Sequence, residues 1–314
     1  MSNYSLRTYT PEMDFPALLG LIQAVEAADA SGADTSETNL RRRLSLPGFS
    51  PQTDQWLVIS PSGELAGQAG IWLPPDTDTA FIGLSVHPQQ RRQGLGSQLL
   101  ENSLQRAREL GAKRAALNVW QPDAAGHFFL RCRGLNLAGH FTRFSAALPL
   151  QAPLRGFPAE FTIRTFAQVG ELETLASAFE NCYMGLWGHH ARVSTNELQE
   201  WLPQMDPEGI LLVYNASGQV VGMCRVEINA ELSTERGEKT GYIDAPGWVL
   251  AQRSATHTAA LLQLAADWLS GRGAKQAVLE SWGDPPETLL LFQRAGFILE
   301  RQISEYMIEV DGIH

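Results

Sequence analysis

The chain repeats itself once, and this repeat limits its fold more than any other feature. Ser5-Leu6-Arg7-Thr8-Tyr9 recurs as Thr162-Ile163-Arg164-Thr165-Phe166. Behind each copy, apolar residues fall at i, i+3, i+4 and i+7: Phe15, Leu18, Leu19 and Ile22, then Leu172, Leu175, Ala176 and Phe179. That spacing gathers four side chains on one helix face for burial. Leu57-Val58-Ile59-Ser60, the Ser62-Gly63 turn and Gly67 are echoed by Leu212-Val213-Tyr214-Asn215, Ser217-Gly218 and Gly222. Each set reads as a β-hairpin. Ala116-Leu117-Asn118-Val119-Trp120 matches Val278-Leu279-Glu280-Ser281-Trp282, and Gly134 matches Gly296. Each copy thus predicts strand, helix, meander, strand, helix, strand, helix, strand. Two tandem α/β domains follow, and 314 residues suit two. The predicted domains are residues 1–148 and 160–314. Between them Pro149, Pro153, Gly156 and Pro158 interrupt helix and ladder alike.

Residues 86–100 carry the chemistry of the first copy. An apolar segment from Phe81 to Val86 runs through His87-Pro88 into a turn bearing Arg91, Gly94 and Gly96, and Leu95, Leu99, Leu100 and Leu104 then mark a helix. A helix's first turn leaves backbone N–H groups without partners, and their dipoles sum to positive potential. Two glycines let a bulky anion approach that backbone, and Arg91 adds formal charge. The turn predicts a phosphate or pyrophosphate site. It is not a P-loop, because no Lys follows either glycine. It is not a dinucleotide fingerprint, because Leu99 stands where a third glycine belongs.

Strand, Val86-His87-Pro88, Arg91-x-x-Gly94-x-Gly96 and amphipathic helix, in that order, resemble the acyl-CoA signature of the GCN5-related N-acetyltransferase (GNAT) superfamily. The order of elements per copy resembles it too. The resemblance implies two tandem GNAT domains, each a mixed central sheet flanked by helices. It implies an acyl-CoA-dependent N-acyltransferase with acetyl-CoA, or another acyl-CoA, as co-substrate and no metal. The acyl group would pass to the primary amine of a small molecule by direct attack in a ternary complex. By resemblance, Leu84 and Val86 would pair with the pantetheine arm, with a backbone N–H near Val86 as oxyanion donor. Arg91, Arg92, Gln93, Gly94, Leu95, Gly96 and Ser97 would line the pyrophosphate turn. Asp123 stands at a family Asn position and would accept a pantetheine amide proton. At the family's Tyr, which protonates the thiolate, this chain has Leu130, and the second copy has Phe292. His127, one helical turn before Leu130, is then the candidate acid, or else a surface histidine. Glu26 and Asp29 could deprotonate the amine through water, bind its charge, or be solvated acids. Because the family's Tyr is missing and no carboxylate lies in residues 80–86 to act as base, a non-catalytic acyl-CoA-binding or sensing protein is the alternative.

The second copy departs from the motif. Thr256 and Thr258 stand for Gly94 and Gly96, His257 lies between them, and Leu250 replaces Pro88. β-Branched residues would crowd a pyrophosphate, so this copy predicts a scaffold. Asp244, set opposite Ile82 by offset, reads as a remnant of an older site. Adjacent His189 and His190 do not share a helix face and predict no metal pair. A net charge of −10 argues against nucleic acid and would suit a cationic amine. No apolar run reaches bilayer length, and the N-terminus lacks a signal-peptide pattern. Three cysteines without metal spacing suggest reduced thiols, so a cytoplasmic monomer or homodimer away from membranes is expected.

Overall fold

A computed structural model describes residues 4–75, 77–151, 156–188 and 193–310. Pro153, His189 and His190 lie outside the described residues. The chain forms two compact units, Met1–Ala138 with Ser304–His314, and Gly139–Ile303. Among the described residues, no helix is long and apolar enough to cross a membrane.

The first unit runs β1 (Ser5–Thr8), α1 (Pro11–Asp29), α2 (Glu37–Leu44), the single turn α3 (Pro51–Asp54), β2 (Gln55–Ile59), β3 (Leu65–Trp72), β4 (Thr79–Val86), α4 (Leu95–Glu109), β5 (Arg114–Trp120) and α5 (Ala124–Cys132). Most of β6 (Asn136–Ala147) belongs to the second unit. There it is followed by β7 (Thr162–Thr165), the short α6 (Phe166–Val169), α7 (Leu172–Cys182), α8 (Thr195–Trp201), β8 (Ile210–Tyr214), β9 (Val220–Ile228), α9 (Ala230–Arg236), β10 (Thr240–Asp244), β11 (Gly247–Trp248), α10 (Ala255–Gly271), β12 (Gln276–Trp282), α11 (Pro286–Arg294) and β13 (Ile298–Glu309).

Both hairpins stand where the sequence put them. Gly63 at φ +86° and Gly218 at φ +76° make turns that a side chain would strain. β2 pairs antiparallel with β3 and β8 with β9, each ladder carrying one irregularity near the turn. Leu18 of α1 and Leu175 of α7 are buried at matching positions of the helix face.

The units do not follow the linear split at 148 and 160. The sheet of the first unit reads β1-β2-β3-β4-β5, closed by the end of β13. That of the second reads β7-β8-β9-β10-β12, closed by β6. Tyr306 and Val310 are buried in the first unit's core with Leu117, Leu130 and Leu135. The Val310 N–H donates to the Lys113 carbonyl at 2.7 Å. Phe144 of β6 lies in the second core, edge-on to Phe292 at 5.9 Å between ring centroids. Period-two patterning shows that a segment is a strand, and leaves open which sheet receives it.

Burying a side chain the size of Tyr306 or Val310 is worth roughly 1.5–3 kcal/mol. A fragment of residues 1–148 is therefore expected to unfold at much lower urea than residues 1–138 joined through a Gly/Ser linker to 304–314. Equal urea midpoints would disprove the strand assignment.

Candidate active site

The ladder between β4 and β5 stops early. They pair in parallel at Thr79 with Arg114, Ala80 with Ala115, and Phe81 with Ala116. β4 continues to Val86 and β5 to Trp120, so the strands part and open a cleft of about 1260 Å³. The His87 N–H donates to the Ala66 carbonyl of β3 at 2.9 Å. Backbone groups alternate sides along a strand, so those of Leu84 and Val86 turn away from β3 toward the open edge. Both residues line the cleft.

The turn after β4 ends the cleft. Arg92 at φ +66° and Gly94 at φ +84° both hold left-handed backbone. Gly94 is the N-cap of α4 and offers no side-chain cap. The Ser97 and Gln98 N–H groups reach the Gly94 carbonyl, at 3.1 and 3.2 Å. Those of Leu95 and Gly96 come too early in the helix for an acceptor within it. A Cβ on Gly96 would meet only Phe129 and Leu84, at 3.7 Å or more, so no protein atom requires glycine there. Space in front of an uncapped helix start suits an anion.

Arg91 does different work from that expected. Its guanidinium is bidentate to Asp29 at 2.8 and 2.7 Å, and its Nε donates to the Val86 carbonyl at 3.2 Å. That hydrogen bond to Asp29 raises its pKa above the ordinary arginine value. Arg91 ties the end of α1 to the turn, and Asp29 is its counter-ion, not an independent acid. Gln93 accepts from the Tyr4 hydroxyl at 2.9 Å. Arg133, which the motif does not mark, donates to the Ser97 hydroxyl and lies over the Phe129 ring. With Arg92 it adds positive charge to the lining. Thirty-six residues separate Arg133 from Ser97, and only the packing of α5 brings them together.

Neither candidate catalyst stands as the sequence suggests. Glu26 lines the cleft, but its carboxylate accepts from the Ser31 hydroxyl at 2.5 Å and the Gly32 N–H at 2.7 Å. Burial works against its charge, yet these bonds and the Ala33 and Ser31 N–H groups together hold its pKa below the usual glutamate value. It anchors the loop after α1. His127 is not among the cleft-lining residues. Its Nδ1 lies 3.0 Å from the Tyr306 hydroxyl and its Nε2 lies 3.2 Å from the Gln121 carbonyl. A carbonyl only accepts, so Nε2 carries the proton and Nδ1 accepts from Tyr306 in the neutral ring. Tyr306 arrives on β13, which explains why helix spacing alone misplaced His127. Leu130 is buried in the core at the edge of the cleft. Asp123 lines the cleft and caps α5, accepting from the Gly126 N–H at 2.9 Å.

Residues 24–135 match the sequence profile of the Acetyltransferase (GNAT) family. Over these residues the first unit is similar to GNAT-family domains. A Bacillus subtilis (strain 168) protein, assigned provisionally as a ribosomal protein bS18-alanine N-acetyltransferase, is 36% identical over 64 residues. That match covers 20% of this chain and 42% of the relative, less than half its length. A GCN5-related N-acetyltransferase from Sphaerobacter thermophilus has the same fold over 98% of this chain and 96% of its own, at TM-score 0.69 and 22% identity. A tandem GNAT protein from the clavulanic acid biosynthesis pathway superposes over 99% of this chain and all of its own, at TM-score 0.59 and 15% identity.

In the second unit the corresponding strands and helix start are closed. β10 pairs with β12 from Thr240 with Gln276 to Asp244 with Glu280, and the Ala245 N–H then donates to the Glu280 carbonyl at 2.9 Å. Pro246, two residues before Trp248 as Leu84 is before Val86, has no N–H to offer a ligand. Ser254 caps α10 by accepting from the His257 N–H at 3.1 Å. The His257 ring packs against Trp248 and Phe161. Arg253 keeps the structural role of Arg91, its Nε donating to the Trp248 carbonyl at 3.3 Å. The threonines expected to crowd a phosphate are thus accompanied by a capped helix and a closed ladder.

By pairing register, Asp244 occupies the place of Gly83 rather than Ile82, since Tyr242 faces Val278 as Phe81 faces Ala116. Burial pushes its carboxyl up to about 7 against the pull of Arg225, with the charges of Glu280, Asp284 and Glu227 adding to the rise. Burial likewise lifts Asp284 to about 6, opposed by the Ser281 hydroxyl and Arg253. Both values exceed the ordinary 3.8, so between pH 4 and 7 the folded chain holds more protons than the unfolded one. Stability is therefore expected to fall as pH rises through that window. Asp244→Asn should flatten the fall, as read from urea midpoints at pH 5, 6 and 7. Parallel profiles for the two proteins would disprove it.

The two motif glycines differ in a measurable way. Gly94→Ala places a side chain in left-handed backbone and is expected to lower stability by about 1–2 kcal/mol. Gly96→Ala puts alanine in a helix with room for its methyl and should raise stability by about 0.5–1 kcal/mol. Thermal unfolding of both variants tests this, and equal shifts would contradict it.

Proposed function

We propose that the first unit is an acyl-CoA-dependent N-acyltransferase that moves an acetyl group to the primary amine of a small molecule by direct attack. The observation that carries this reading is the parting of β4 and β5 beyond Phe81, leading to the uncapped start of α4. The open edge at Leu84 and Val86 suits the pantetheine amides. The N–H groups of Leu95 and Gly96, with Arg92 and Arg133, suit the pyrophosphate. A preorganised N–H near Val86 would receive the carbonyl oxygen as charge develops on it, the largest single contribution in many acyl transfers. Glu26 and Asp29 are held by donors of their own, so the amine would lose its proton through water. Leu130 has no proton to give, so the thiolate would take its proton from water as well. The proposed setting is a cytoplasmic monomer or homodimer acting without metal, nucleic acid or membrane.

The engagement of Glu26 and His127 elsewhere favours one further reading, an acyl-CoA sensor without turnover. Titrating acetyl-CoA calorimetrically into the intact protein and into Gly94→Val/Gly96→Val separates the cases, with circular dichroism to confirm folding. One site per chain, lost in the double variant, is expected, and free thiol should be released when an amine is added. Binding without thiol release across a broad amine panel would leave the sensor. No binding would overturn both readings.

A further inference from the structure

At the far end of the cleft from the α4 turn, one arginine side chain has no partner among the described residues. α2 carries Arg41, Arg42 and Arg43 in succession. Arg41 pairs with Glu37 at 2.6 Å and stacks on Phe15, and Arg42 donates to the Asn39 side chain at 2.8 Å. Arg43 turns into the cleft. Among the described residues its guanidinium makes no hydrogen bond and no ion pair. Solvent reaches it, yet the protein around it, together with Arg42, holds its pKa below the ordinary arginine value. A crowded guanidinium without a counter-ion favours an anion beside it.

Two glycines make the room. Gly70 of β3 and Gly83 of β4 face each other in register, two residues beyond the last pair of β4 with β5. A Cβ on Gly83 would come within 3.0 Å of the Arg43 Nη2, and one on Gly70 within 2.5 Å of the Gln55 Oε1. The guanidinium thus lies against the stretch of β4 where the strands have just separated. Polar groups continue beside it. Gln55 donates to Gln68 at 2.6 Å, and Gln68 donates to the Ser85 hydroxyl at 3.3 Å. Trp72 and Phe81, with ring centroids 6.2 Å apart, and Phe49 line the same end. The acids lining the cleft, Glu26, Asp29 and Asp123, are held by the 31–33 loop, by Arg91 and by α5. None neutralises Arg43.

The second unit shows what fills this place when it is not needed. Asp244 stands at the register position of Gly83, and Arg225 lies 4.0 Å from it. A charge pair inside the protein replaces the open glycine floor.

We propose, resting on the acyltransferase reading above, that the acceptor is a small amine that also bears a carboxylate, the chemistry of an amino acid. Arg43 binds that carboxylate over the Gly70–Gly83 floor, and the amine is left pointing along β4 toward Leu84 and Val86. Arg43 is a specificity-determining residue here. The reading adds a carboxylate to the cationic amine that the net charge suggests.

The test compares matched pairs that differ only in the carboxylate: phenylalanine with phenethylamine, tyrosine with tyramine, methionine with 3-(methylthio)propylamine, and lysine with cadaverine. Thiol release from acetyl-CoA is followed in the full chain, in Arg43→Gln and in Arg43→Lys. For at least one pair, kcat/KM is expected to favour the carboxylate-bearing member roughly ten- to hundredfold, the range for hydrogen bonds to a charged group. Arg43→Gln should collapse that ratio mainly through KM, and Arg43→Lys should restore part of it. Calorimetry with acetyl-CoA alone should give the same affinity in all three proteins, which shows that the variants are folded. Turnover that ignores the carboxylate, or a preference that survives Arg43→Gln, would overturn this inference and leave the acyltransferase reading standing. Absence of acetyl-CoA binding would overturn that reading instead.

Discussion

The candidate site in this protein depends on where one β-ladder ends. β4 and β5 exchange backbone hydrogen bonds as far as Phe81 and Ala116, and then stop. Unpaired strand edges inside a protein carry donors and acceptors that must find partners. Here they face a cleft large enough for a ligand with amide groups of its own. The turn at Arg92 to Gly96, the cap-free start of α4 and the Gly70–Gly83 floor all lie along that opening. In the second unit the ladder runs two residues further, Pro246 removes a donor and Ser254 caps the helix. One duplicated design thus yields an open and a closed version through a few backbone hydrogen bonds.

Much of the fold was legible in the sequence because the repeat carried its own periodicities. The α1 and α7 faces, both hairpins and the order of elements followed from spacing alone. The turn before α4 was legible because glycine acts locally: Gly94 holds φ +84°. Pro246 drew no notice in the sequence, because only the register of β10 and β11 gives its missing donor a meaning. The exchange of β6 and β13 between the units was not legible. Its determinants, such as Tyr306 packing with Leu130, are contacts between segments far apart in the chain.

The roles of charged residues were the least legible part. Glu26, Asp29 and Arg91 read as independent groups near a site, yet each is committed to another protein group. A carboxylate with several donors loses basicity, and an arginine in a bidentate pair is held away from other anions. Arg43 shows the reverse: among the described residues its side chain has no partner, although Arg41 and Arg42 beside it are paired. Whether a charge is available depends on what surrounds it in three dimensions, and composition carries no record of that.

The sequence by itself determined the tandem α/β architecture, the place of the glycine turn before α4 and the loss of that turn in the second copy. These depend on local backbone preferences and on hydrophobic period, which act over a few neighbouring residues. The tertiary structure decided which strand closes each sheet, where the central ladder opens, and which of Glu26, His127, Arg91 and Arg43 is free to meet a ligand. Those outcomes are set by packing and hydrogen bonding between distant segments, and such interactions exist only once the chain has folded.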